Sequence, residues 1–183
     1  SRGEGLGNQF LGHIRQVEAI AHIVRCFEDD NVVHVDGSVD PLRDVEVIQT
    51  ELNLADLDTV EKRIARSEKQ AKSGDRKLQE EVAVLAVVRE CLNRGRPARA
   101  AELTAEQQAT LRELCLITAK PVLYVANVAE DDLAGNHPAI ARLRAHALAE
   151  GAEFVVICGK IEAEIAELLN EERDAFLQEL GID

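Results

Sequence analysis

The sequence contains very few aromatic side chains: one tyrosine, four phenylalanines and no tryptophan among 183 residues, and methionine is also absent. Hydrophobic residues nevertheless make up 46% of the chain. This content is enough for a buried core, which must be built from valine, isoleucine, leucine and alanine. A chain of this length supports one domain, or one domain with an inserted lobe.

Patterns for zinc, disulfides and membranes are also absent. The four cysteines lie far apart, with no C-x-x-C pair and no neighbouring histidine: Cys26, Cys91, Cys115 and Cys158. Buried, reduced thiols are therefore expected rather than a zinc site or a disulfide scaffold. The sequence has no signal peptide and no apolar run long enough to cross a membrane. A reducing cytosol fits these observations, so we expect a cytoplasmic location.

Positive charge is scarce but concentrated. The net charge of −13 argues against general affinity for nucleic acid. Residues 62–77, here called the basic segment, depart from this pattern with only two acids, Glu68 and Asp75. Against these stand seven basic residues: Lys62, Arg63, Arg66, Lys69, Lys72, Arg76 and Lys77. An acidic protein with one basic segment is expected to contact RNA only through that segment.

Three short apolar runs predict buried strands: Ala19–Phe27, Val122–Val125 and Glu153–Cys158. The second and third are joined by a predicted helix that starts at Pro138 and ends before Gly151. Strands that alternate with helices through short loops predict a parallel sheet with right-handed crossovers. The predicted fold class is therefore α/β.

A long helical segment separates the first two predicted strands. Asp40 and Pro41 form a strong helix start, and this helix is predicted to run to about Ser73. Gly74 and Asp75 interrupt the pattern before a second helix that ends near Arg94, with Gly95 as its C-terminal cap. The two helices predict an antiparallel hairpin.

The buried faces of the two helices are predicted from apolar spacing. In the first helix the apolar residues are Val45, Ile48, Leu52, Leu54, Ala55, Leu57 and Ile64. In the second they are Leu78, Val82, Leu85, Val88 and Leu92. A capping box over Thr104–Gln107 opens one more helix. Residues 41–118 are thus predicted to be a helical domain inserted into an α/β domain made of residues 1–40 and 119–183.

A ligand site is predicted where the strand within Lys120–Glu130 ends. In open α/β sheets, ligands bind just beyond the carboxyl ends of the strands, which places Asn127 and Glu130 at such a site. The amide of Asn127 suits adenine, because an amide can meet N6 and N7 together, whereas a carboxylate suits the two adjacent donors of guanine. Taken alone, N-x-x-E fits a strand end with an Asx turn at least as well.

Five segments occur in one order and together resemble the YchF, or Obg-like ATPase, subfamily of the Obg-related P-loop NTPases: Gly3–Asn8, Arg25–Asp30, Gly37–Pro41, Ala119–Pro121 and Lys120–Glu130. The resemblance covers essentially the whole chain. It implies part of a P-loop NTPase domain (G-domain) with an inserted helical hairpin, and a ribosome-associated enzyme that binds and hydrolyses ATP. No Gly-x-x-x-x-Gly-Lys-[Ser/Thr] phosphate loop occurs in the sequence.

The resemblance therefore also implies what lies outside this chain. The phosphate-binding half and the Mg²⁺ ligands are expected before residue 1, and a small ubiquitin-like (TGS) domain after Asp183. This part alone is expected to be inactive. Two alternatives stay open: a non-catalytic helical module that binds RNA or the ribosome through the basic segment, and a GTPase of the same fold.

The resemblance assigns roles to individual residues. Asn127, Val128 and Glu130 occupy the place of the Asn-Lys-x-Asp motif and would read adenine, with Val128 contacting it through its backbone. Phe27 is expected to stack on the base, or else to be a core residue at a strand end. The Cys158-Gly159-Lys160 loop stands where the family has Ser-Ala-Lys over the base.

His34 is the predicted catalytic residue. The resembling subfamily has an apolar residue where GTP-hydrolysing relatives use a glutamine to orient the attacking water. A histidine on a loop near the phosphates could orient that water or accept its proton. The alternative is an exposed loop histidine without a catalytic task. No metal-binding residue is predicted within the chain.

Overall fold

The computed structural model describes residues 10–28, 39–71, 76–169, 172–173 and 176–178. Residues 10–14 are helical. The later elements are, in order, β1 (Ile20–Arg25), α1 (Pro41–Ala71), α2 (Arg76–Asn93), α3 (Ala105–Glu113), β2 (Val122–Asn127), α4 (Pro138–Ala149), β3 (Glu153–Ile157) and α5 (Gly159–Glu167). No helix in the described ranges is long and apolar enough to cross a membrane. Predictions for Gly3–Asn8, His34 and Lys72 fall outside the described residues.

The strands form one sheet in the order β1-β2-β3. β2 and β3 are parallel, with a register that runs from Leu123 opposite Glu153 to Asn127 opposite Ile157. On the other side of β2, the Cys26 N–H donates to the Asn127 carbonyl at 2.8 Å. The α/β fold with a parallel sheet is confirmed, and Asn127 lies at its carboxyl edge, bonded to Cys26 on one side and opposite Ile157 on the other.

The chain divides into two compact units. One, here called the helical unit, comprises residues 1–20 and 43–122, and the other, the sheet unit, comprises residues 21–42 and 123–183. These bounds differ from the predicted domain bounds at residues 1–20, 41–42 and 119–122. The predicted insertion of residues 41–118 stays a prediction.

Apolar packing in the helical unit follows the predicted pattern on α2. Its buried residues include Leu85, Val88 and Leu92. Together with Val84 of the same helix, they share one core with residues of α1, α3 and the connecting loops: Val60, Ile64, Ala98, Leu111 and Leu116. Gly95 follows α2 with a φ of 75°, a left-handed conformation that favours glycine. The capping box at Thr104 and Gln107 is present as predicted.

The buried face of α1 differs from the predicted stripe. Ile48 and Leu54, predicted to face inward, are 41% and 60% exposed, so the prediction is wrong at both positions. Three polar residues are buried on this helix instead: Asn53, Asp56 and Ser67. Buried polar groups require hydrogen-bond partners. The partners of Asp56 explain why α1 buries a charged residue on this face.

Asp56 is fully buried, and its carboxylate accepts hydrogen bonds from backbone N–H groups outside α1. Its Oδ1 accepts from Ile117 N at 3.0 Å, and its Oδ2 accepts from Thr118 N at 2.7 Å and from the Thr118 hydroxyl at 2.8 Å. Arg15 Nη1 lies 3.5 Å from Oδ1 as a counter-charge. The carboxylate thereby fixes residues 117 and 118, just before β2 begins.

Candidate functional site

A cleft lies at the carboxyl ends of β2 and β3 within the sheet unit. Its volume is about 410 Å³, which is within the range of small-molecule sites. The residues that line it are Phe27, Asn127, Val128, Ala129, Glu130, Asp131, Cys158 and Lys160. Every base-site residue predicted from the sequence is among them except Gly159, which contacts Asn127 directly. Whether these residues bind a base stays a prediction.

The side chain of Asn127 is held by the first residue of α5. Its Oδ1 accepts a hydrogen bond from Gly159 N at 2.9 Å. The residue that precedes α5, Cys158, provides no side-chain cap for the helix, so Asn127 satisfies one of its unpaired N–H groups. Because the Gly159 N–H requires an oxygen, the amide is oriented, and Nδ2 is the group that can donate to a ligand.

Glycine at position 159 leaves the room that this contact needs. A Cβ added to Gly159 would lie 3.2 Å from Asn127 Oδ1 and 3.5 Å from Nδ2. An alanine there, as in the Ser-Ala-Lys loop, would displace the amide by a few tenths of an ångström. The presence of glycine rather than alanine at position 159 therefore affects where the Asn127 amide lies.

Neither the backbone N–H nor the side chain of Val128 is readily available to a ligand. The N–H donates to the Ile157 carbonyl at 2.8 Å, which extends the ladder between β2 and β3. The residue is only 2% exposed. A backbone contact from Val128 to a ligand must therefore use its carbonyl oxygen, and its side chain offers little surface to a ring.

Glu130 and Lys160 form an ion pair at the cleft, with Lys160 Nζ in contact with Glu130 Oε1. Both side chains remain accessible, at 48% and 70% exposure respectively. The hydrogen bond to Glu130 raises the pKa of Lys160, so the lysine is fully charged at neutral pH. The cleft thus presents a donor and an acceptor side by side.

A second cleft shares Phe27 with this one. Phe27 is half-buried and lines both, as do Ala129 and Asp131. The second cleft has a volume of about 620 Å³ and also reaches His137, the N-terminal cap of α4. Sequence reasoning missed Asp131 as a lining residue. Its position directly after the strand-end motif was the signal that could have identified it.

The basic segment is partly neutralised by nearby acids. Arg63 forms two hydrogen bonds to Glu81, at 2.6 and 2.9 Å, and these join α1 to α2. The bond from Arg63 lowers the pKa of Glu81, which also accepts from Ser67 at 2.7 Å. Lys62 pairs with Asp58, and Arg76 pairs with Glu80. Arg63 is therefore a structural residue of the hairpin, and the charge available to a partner is lower than the sequence count suggests.

Comparison with known proteins gives a consistent result. No protein-family model matches the chain. Curated relatives named "Ribosome-binding ATPase YchF" are 54% identical in Bacillus subtilis, 51% in Escherichia coli O157:H7 and 46% in Haemophilus influenzae. Each of these matches covers 100% of this chain and 50% of the relative. The chain thus spans about half the length of the curated relatives it matches.

A solved structure extends the comparison to the fold. The Schizosaccharomyces pombe protein described as the YchF GTPase aligns with a TM-score of 0.84 and 28% identity, over 96% of this chain and 49% of the other. The chain therefore has the α/β fold of a nucleotide hydrolase domain. Its resemblance to the YchF, or Obg-like ATPase, subfamily is confirmed. The names of these relatives disagree on the nucleotide, ATP for the bacterial proteins and GTP for the yeast protein.

Proposed function

We propose that the cleft between Phe27, Asn127, Glu130 and Lys160 binds the adenine base of ATP, and that the full-length protein hydrolyses this nucleotide. One observation carries the proposal: the Asn127 amide is fixed by Gly159 at the carboxyl edge of the sheet, with Nδ2 left to donate. The bacterial relatives, which are named as ATPases, support the same nucleotide.

Adenine fits the donor and acceptor set of this cleft. Nδ2 of Asn127 would donate to N7, and the second lone pair of Oδ1 would accept from N6, which is the pairing that an amide makes with adenine. The Val128 carbonyl would share with Oδ1 the N6 hydrogen on the N7 side, since the Val128 N–H is already used in the sheet. Phe27 offers a ring face for stacking.

The phosphates and Mg²⁺ would be bound by residues outside this sequence, since it contains no phosphate loop. When bound, Mg²⁺ neutralises charge on the phosphates. This chain would supply base recognition, and we propose His34 as the residue that orients the attacking water. His34 lies outside the described residues, so its role is proposed from the resemblance alone. On the same grounds this chain is expected to be inactive without the phosphate-binding half.

A GTPase of the same fold is the second candidate, which the name of the yeast structure favours. Equilibrium titration of the full-length protein with ATP and GTP distinguishes the two. A variant that changes Val128 to lysine to restore the guanine motif would be a poor test, because Val128 is buried and a lysine there would disturb the fold.

We further propose that the ribosome, through ribosomal RNA, is the partner of the basic segment. The names of the bacterial relatives support this partner, which in turn supports the predicted cytoplasmic location. Arg66 and Lys69 are exposed on α1, whereas Arg63 is engaged with Glu81. The non-catalytic alternative, a helical module that only binds RNA, predicts the same surface but no hydrolysis.

Reversing two charges of the basic segment tests this partner. We expect Arg66→Glu with Lys69→Glu to weaken ribosome association while ATP hydrolysis is unchanged. The salt dependence of binding should also become shallower, by about 0.7 per lost phosphate contact for single-stranded RNA. Co-sedimentation with ribosomes between about 50 mM and about 200 mM salt measures both effects.

The matched control is Arg89→Glu with Arg112→Glu, which reverses two exposed charges elsewhere in the helical unit. This control should pellet with ribosomes as the parent does. Equal pelleting of both double variants and the parent would remove the basic segment from the mechanism.

A further inference from the structure

The ion pair between Glu130 and Lys160 has no evident structural purpose. Both side chains are exposed, and exposed ion pairs contribute little to stability because solvent screens them. The pair does, however, line the cleft proposed for the base. Its position points to a role in ligand recognition.

Each partner of the pair retains unused hydrogen-bonding capacity. An ammonium has three donors and a carboxylate has two oxygens, so one mutual hydrogen bond exhausts neither group. In the structure Lys160 Nζ contacts Oε1 of Glu130. The cleft therefore presents a donor, Lys160, beside an acceptor, Glu130. Such a pair is complementary to a purine edge on which a hydrogen-bond acceptor lies beside a donor.

We propose that the Glu130–Lys160 pair reads the N6–N1 edge of adenine, with Glu130 accepting from N6 and Lys160 donating to N1. The inference rests on the proposed function of the cleft and goes beyond it by making Lys160 a specificity-determining residue. Asn127 would meet the other side of the base at N7 and N6. Together the three side chains would cover all of the polar positions from N7 to N1.

The pair explains how a carboxylate at this position is compatible with adenine. A free carboxylate matches guanine, whose N1–H and exocyclic amine are adjacent donors, and it repels the N1 lone pair of adenine. Lys160 removes this repulsion by supplying the donor that N1 requires. It also engages an oxygen that guanine would need and places a cation beside guanine's donors. Without Lys160, the same Glu130 would favour guanine.

The test is a set of equilibrium titrations on the full-length protein and its Lys160→Met variant. The side chain of Lys160 is largely exposed, so this change should leave the fold intact. We expect the ratio of ATP to GTP affinity to fall by about tenfold, the size of one good polar contact. The probe 1-deaza-ATP lacks the N1 acceptor. The parent protein should bind this probe more weakly than it binds ATP, whereas the Lys160→Met variant should bind the two nucleotides equally well.

Two further variants sharpen the result. Arg89→Met removes one exposed positive charge from the helical unit and should leave the ATP-to-GTP ratio unchanged. Glu130→Gln keeps an acceptor but loses the carboxylate charge, and it should weaken GTP binding in the Lys160→Met background.

The outcomes separate the two proposals. If the parent binds neither ATP nor GTP, both the proposed function and the proposed role of Lys160 are wrong. If the parent binds ATP but Lys160→Met leaves the nucleotide ratio unchanged, or lowers both affinities equally, the inference alone is overturned.

Discussion

Replacing Asp56 by alanine is expected to lower the free energy of unfolding by about 3–5 kcal/mol, the cost typical of removing one member of a buried charged network. The loss has a definite physical origin. Ile117 N, Thr118 N and the Thr118 hydroxyl all donate to this carboxylate, and each would be left buried without its acceptor. Urea denaturation followed by circular dichroism measures the change.

Asp58→Ala is the matched control for this stability prediction. Asp58 lies on the same helix, two positions further on, but it is exposed and pairs only with Lys62 at i+4. Its removal should cost no more than about 0.5 kcal/mol. Equal losses for the two variants would show that the buried network around Asp56 does not stabilise the helical unit.

Asn127 is expected to respond differently to two substitutions, because its side chain caps α5 and faces the cleft at once. Asn127→Asp keeps an oxygen for the Gly159 N–H and places negative charge at a helix N-terminus, so stability should be retained. The same change removes the Nδ2 donor. We therefore expect the affinity for ATP to fall by about 1–3 kcal/mol, as for the loss of a bidentate base contact.

Asn127→Ala completes the comparison, since alanine removes both the cap and the donor. Its stability should fall by about 1 kcal/mol, typical of a lost helix cap, together with the affinity for ATP. Thermal denaturation and nucleotide titration of both variants separate the two roles. An Asn127→Asp protein that binds ATP as tightly as the parent would leave Asn127 with only its structural role.

Features governed by local chemistry could be predicted from the sequence. Pro41 and Pro138 open α1 and α4 as expected, because proline suits the first turn of a helix. Gly95 adopts the left-handed conformation expected after α2. The three strands were likewise predictable from short apolar runs bounded by polar and turn residues.

Buried polar residues could not be predicted in the same way. Apolar spacing on α1 placed Ile48 and Leu54 inward, whereas the buried face includes Asn53, Asp56 and Ser67. The partners of Asp56 are some 60 residues away in the chain, at Ile117 and Thr118. A rule that assigns charged residues to the surface cannot identify such a carboxylate until the tertiary contacts are known.

In the candidate site, too, some features follow from the local sequence and others depend on tertiary contacts. The strand end and its polar residues follow from the sequence, but the contact between Asn127 and Gly159 requires the register of β2 with β3. The pairing of Glu130 with Lys160 depends on the same register, because the two residues lie at the ends of neighbouring strands. The sequence could nominate these residues, and the structure shows which of their atoms are engaged.

The affinity of the full-length protein for ATP relative to GTP tests the central claim most directly. Isothermal titration of each nucleotide, with Mg²⁺ present, measures both dissociation constants under one set of conditions. An adenine site made by Asn127, Glu130 and Lys160 predicts tighter binding of ATP, by at least about tenfold. Equal affinities, or tighter binding of GTP, would contradict the assignment of this cleft to adenine.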